Sequence, residues 1–142
     1  MLHPPTRELE LLIVFSGLVK WLEKPRNVSR ILLTRHVAEG ELREAIESLH
    51  RLDQPETGAE CAVAAAMLID SAGVRGLAER FAHARREGLA IEEVAREEPP
   101  EIPPWMDTLA RTMMLERMER RKAFCRAMIE ETSNVKRQNR DV

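Results

Sequence analysis

Nine consecutive residues, Cys61 to Ile69, carry no charged or hydroxyl-bearing side chain. A run of that length is too short to span a bilayer, so it must be covered by other parts of a folded chain. Both of its ends carry local signals. Pro55 precedes Thr57-Gly58-Ala59-Glu60, a capping box in which each outer side chain can bond the other's free backbone N–H. Gly73 and Gly76 then supply a turn out of the run, because glycine permits sharp turns and close approach of two elements. The pattern predicts a helix at the centre of the domain, with Ala62 to Ile69 as its most buried segment.

The rest of the chain also reads as helix. After Pro4-Pro5, Thr6 can cap a first helix that keeps a 3.6-residue apolar face until Pro25 stops it. Leu11, Val14, Phe15 and Leu18 add a second stripe, which makes this helix apolar on more than one side. A second helix starts at Asn27 or Ser29 and runs to Val37, and a third follows Gly40 through Leu49. Beyond the central helix, Leu77, Phe81 and Ala84 mark another that ends at Gly88, and Ile91 to Glu97 forms a short one. Prolines at 99, 100, 103 and 104 make a stiff extended connector. A last helix runs from about Asp107 to Thr132 with a methionine-rich stripe. The expectation is an all-α, single-domain bundle of six or seven helices over residues 1–142, with residues 1–5 and 133–142 frayed.

Composition narrows the function classes. With 44% hydrophobic and 32% charged residues the chain is globular rather than disordered. Lys+Arg number 22 against 24 Asp+Glu, which gives no global attraction for nucleic acid. Arg117, Arg120, Arg121, Lys122 and Arg126 form a local basic run, but Glu116 and Glu119 dilute it. The two cysteines, Cys61 and Cys125, read as buried free thiols. Glu8 and Glu10 precede the first apolar run, which is wrong for a signal peptide, so a cytoplasmic setting without membrane contact is expected.

The order of features from His50 to Phe81 resembles the second half of an HD-superfamily metal-dependent phosphohydrolase. It has His50, a Pro55-Glu56-Thr57 helix start, Asp70 at the end of the buried helix, a Gly73-x-x-Gly76 turn and Arg80-Phe81. Further on, Asp107 to Arg111, Glu116-Arg117 and Phe124 are similar to the family's terminal helix, so the resemblance covers roughly His50 to Glu131. The family holds one or two divalent metals with a His, an adjacent His-Asp pair and a later Asp, and activates water between them. This chain has no His-Asp dipeptide, and Ala65 and Met67 stand near the positions where the family has acids. The resemblance therefore implies an HD-like frame without its metal, cofactor or catalytic residues.

Three function readings follow. The first is a non-catalytic HD-like protein that acts through contacts with its own copy or another protein, with Leu11, Phe15, Leu18 and Trp21 of the first helix as interface residues. In that reading His50, Asp70, Arg75 and Arg80 are what remains of a ligand site, Asp70 bonding the glycine turn or pairing with Arg75 or Arg80. The second is a divergent phosphohydrolase that rebuilds a metal site from His36, His50, Asp53 and Asp70. The third, nucleic-acid binding by the basic run of the last helix, has the least support.

Overall fold

The computed structural model describes residues 6–18, 24, 26–28, 30, 31 and 37–140. Six helices are defined among them: α1 Arg7–Ser16, α2 Glu39–His50, α3 Gly58–Ala72, α4 Val74–Glu87, α5 Ile91–Ala95 and α6 Thr108–Gln138. No strand occurs among the described residues, and the fold is all-α. Residue contacts divide the chain into two compact units, Met1–Ala65 and Ala66–Val142, with the boundary inside α3.

Most helix starts follow from local hydrogen bonding. Thr6 caps α1 by accepting the Leu9 N–H at 3.2 Å, and Asp107 caps α6 by accepting the Ala110 N–H at 2.7 Å. The capping box of α3 forms as read. The Glu60 N–H donates to Thr57 Oγ1 at 3.2 Å, and the Thr57 N–H donates to Glu60 Oε2 at 3.3 Å. At the other end of the hydrophobic region, α4 closes on Gly88, whose φ of 75° lies in the left-handed region.

Two helix ends differ from the sequence reading. The first helix stops at Ser16 rather than Pro25, because the chain turns at Gly17 and the Leu18 N–H bonds back to the Phe15 carbonyl at 2.8 Å. An apolar pattern continues past that glycine, but the backbone does not. The tail, in contrast, remains helical beyond Thr132, as far as Gln138. There Lys136 Nζ reaches Glu92 Oε1 at 2.8 Å, which ties the last turns of α6 to α5. Of the expected second helix, residues 26–28, 30 and 31 are helical, and the remainder up to His36 lies outside the described residues.

In the first unit α1 packs on α2. The core holds Leu11, Leu12, Phe15, Leu42, Ala45 and Leu49, joined by Ile31, Val37 and Val63. These positions recur every three or four residues in each helix, so each contributes one apolar stripe. In the second unit α4, α5 and α6 pack together around Leu77, Ala84, Val94 and Cys125, with Phe81 and Ala95 at the edge. Gly76 sits where α4 crosses the end of α3. A Cβ there would stand 1.9 Å from the Ser71 carbonyl oxygen, so only glycine fits.

The run Cys61–Ile69 is not buried throughout. Val63, Ala64, Ala65 and Ile69 are buried, whereas Ala62, Ala66 and Met67 are exposed. Nine residues turn two and a half times around a helix, and neighbours cover only one side of it. Among the described residues no single helix is long and apolar enough to cross a membrane, although α3 and α4 taken together across their bend pass that test on length and composition. The exposure pattern separates two alanines of similar sequence context, Ala64 and Ala66. Ala64→Asp is expected to abolish the cooperative thermal transition, because it buries an unpaired carboxylate at a cost of several kcal/mol. Ala66→Asp should melt within a few degrees of the parent. Circular dichroism of the two variants checks this.

Candidate functional site

The residues singled out from sequence fall in both units. His50 is the exposed last residue of α2 and belongs to the first unit, while Asp70, Arg75 and Arg80 belong to the second. Asp70 is half-exposed near the end of α3. Its carbonyl accepts the Gly73 N–H at 3.3 Å, and its carboxylate lies 3.5 Å from Arg75 Nη1, so it supports the turn and pairs with Arg75. Arg80 turns elsewhere. Its Nε donates to Glu97 Oε2 at 2.8 Å and Nη1 to Glu87 Oε2 at 3.0 Å, fastening the start of the proline connector to α4. These bonds hold the Glu97 and Glu87 carboxyls below the usual range and push the Arg80 guanidinium up.

The interface residues are divided as well. Leu11 and Phe15 are buried in the core of the first unit and cannot face a partner. They lie on the side of α1 that meets α2, since a helix touching one neighbour must spend one stripe on it. Leu18 is exposed, and Trp21 lies outside the described residues. The free side of α1 is made instead by Ile13, 57% exposed, and Val14, 62% exposed, with Leu18 one turn on. Gly17 lies on the same side with open space around it.

Neither unit gathers metal ligands. Among the described residues no group of three or more His, Cys, Asp or Glu side chains stands close enough to hold an ion. His36 lies outside the described residues. An open pocket of about 410 Å³ in the first unit is rich in carboxylates, with Glu8, Glu41, Glu44 and Glu47 on its walls. Two of these are already engaged. Thr57 Oγ1 donates to Glu8 at 2.8 Å, and Arg7 lies 3.5 Å from Glu41.

The most constrained ionisable group of that unit is Glu60, whose side chain is fully inaccessible. Burial alone would push its carboxyl up. The Glu56 N–H, the Ser48 hydroxyl, the Arg51 guanidinium and the Thr57 N–H together outweigh that and hold it at about 2. The Glu56 N–H lies 2.7 Å from Oε2 and Arg51 Nη2 lies 2.9 Å from Oε1. The capping box marked Glu60 in the sequence, but nothing local announced Arg51 or Ser48, nine and twelve residues earlier.

In the second unit a pocket of about 320 Å³ opens between the end of α5 and the middle of α6. Arg96, Arg121, Lys122 and Arg126 line it against two carboxylates, Glu97 and Glu98. Arg121 is 7% exposed, an unusual burial for a guanidinium. It occupies the same helical face as Met114 and Cys125, seven residues after one and four before the other. That register was the available signal in the sequence, and it passed as part of a basic run.

No family model matches the chain, and no curated protein or solved structure is significantly similar to it. The HD-superfamily resemblance thus rests on its residues alone.

The Glu60 network predicts an acid limb of stability. Its folded-state carboxyl titrates at about 2 against an ordinary 4.5, so its contribution is complete above pH 4.5 and is lost as pH falls toward 2. Glu60→Gln should lower stability at pH 7 by about 2 kcal/mol, because charge-assisted bonds become neutral ones in a buried place. The variant should also flatten the fall in melting temperature below pH 4.5, which thermal melts across that range measure.

Proposed function

We propose that this chain is a non-catalytic, HD-like helical protein that acts through protein contacts in the reducing cytoplasm, and that its partner is a second copy of itself. The observation that carries the reading is the free side of α1, where Ile13 and Val14 present two large aliphatic side chains to solvent beside Leu18. Soluble chains generally cover contiguous apolar surface of this kind. Gly17 adds room for close approach, since no atom lies within 4 Å of where its Cβ would be. A face of this form suits an isologous, two-fold contact, because Ile13 and Val14 of one copy can meet the same residues of the other. The two cysteines are unpaired, which fits a reducing compartment.

The non-catalytic part of the reading rests on the sequence order from His50 to Phe81, with Ala65 and Met67 near the family's acidic positions and no His-Asp pair.

Light scattering on the purified chain at high concentration is expected to give a dimer. Ile13→Glu combined with Val14→Glu should yield folded monomers with an unchanged helical spectrum, since both residues are exposed. Phe15→Glu should instead give aggregate, because Phe15 is core. A monomer for the unmodified chain would overturn the self-association reading. For the catalytic question, elemental analysis of protein purified without chelator is expected to find no stoichiometric transition metal. About one equivalent per chain, lost on changing His50 or Asp70, would establish the phosphohydrolase reading instead.

A further inference from the structure

The pocket between α5 and α6 holds an unusual charge arrangement. Arg121 is more than nine-tenths buried and lines the cavity, yet makes no hydrogen bond or close ion pair among the described residues. No buried side-chain nitrogen or oxygen among the described residues lacks a partner, so the unpaired guanidinium nitrogens of Arg121 are reached from the cavity and not sealed in the core. The carboxylate that feels Arg121 electrostatically is Glu97, and Arg80 already holds Glu97 through both of its carboxylate oxygens. Glu97 is thus bonded to Arg80 and acts on Arg121 only through space. Lys122 is engaged at the surface by Glu119 at 3.2 Å, whereas Arg126 makes no ion pair among the described residues.

The result is a cavity with four cations and two carboxylates on its walls, one of the carboxylates bonded to Arg80 and one of the cations to Glu119. The remaining walls are uncharged and include Pro99, Cys125 and Ile129. Its volume of about 320 Å³ suits a small molecule rather than a peptide. The geometry points to a binding site for a small organic dianion, a phosphate monoester or a dicarboxylate, whose charged group pairs with Arg121 and whose carbon skeleton lies against Pro99 and Ile129. Arginine presents a planar fork of donors that both oxyanions accept. The excess of positive charge favours a doubly charged ligand over a singly charged one. This site is independent of the contact face on α1, which lies in the other unit.

Titration of the full chain followed by NMR tests it, with phenyl phosphate, phthalate and benzoate as probes. Saturable shifts confined to α5 and α6 are expected for at least one dianion, with benzoate at least tenfold weaker. Saturation by phenyl phosphate alone assigns a phosphate ligand, by phthalate alone a dicarboxylate. Arg121→Gln should lose binding at least tenfold. Because that buried change can also unfold the unit, Lys122→Gln and Arg126→Gln, both exposed, carry the decision. Each is expected to weaken the dianion by about threefold to tenfold, as loss of one nearby cation does at a partly solvated site. Glu98→Gln should tighten it. No saturable shift with either dianion up to ~10 mM, where even weak sites fill, overturns the proposal. So does benzoate binding as tightly as the dianions, or parent-like affinity in both exposed variants.

Discussion

Glu60 carries a full negative charge into the least accessible part of the first unit, and donors from three neighbouring segments meet it there. Ser48 comes from the last turn of α2, Arg51 from the residue after that helix, and the Glu56 and Thr57 N–H groups from the start of α3. A carboxylate without them would face the desolvation cost alone, which is why removing any one donor bears on all the rest. The α2–α3 connection is held in one shape by that shared acceptor. Without it Val63 would not be brought to the stripe formed by Leu12, Phe15, Leu42 and Leu49.

In the second unit the corresponding element is Arg80. It reaches along its own helix to Glu87 and across to Glu97, so a single guanidinium fixes both the end of α4 and the segment after α5. A side chain with five donors in a fixed fork can do this, whereas a lysine offers one point charge. Because Arg80 takes both oxygens of Glu97, no hydrogen bond joins Glu97 to Arg121, which lines the neighbouring pocket.

The two candidate surfaces, the aliphatic side of α1 and the basic pocket of α6, lie in different units and use different physics. One excludes water from branched aliphatic side chains; the other holds charge at the edge of an apolar core. A contact protein can use both, because apolar area gives affinity while charge selects the ligand.

Helix class, the Thr6 cap, the capping box at Thr57–Glu60 and the glycine turn at Gly73 were all legible from the chain. Each depends on partners three or four residues apart, and such partners are visible in a linear string. The end of α1 at Ser16 was not legible, because the apolar pattern runs on past Gly17 toward Pro25. Which side of a helix is covered was not legible. Leu11 and Phe15 are core while Ile13 and Val14 are free, and Ala64 is buried while Ala66 is not, although the residue types hardly differ. Nor did the string pair Asp70 with Arg75, join Arg80 to Glu97, or bury Arg121. Those outcomes belong to tertiary structure, because coverage and charge pairing are decided by neighbours that are distant in sequence, and only packing of the helices selects them.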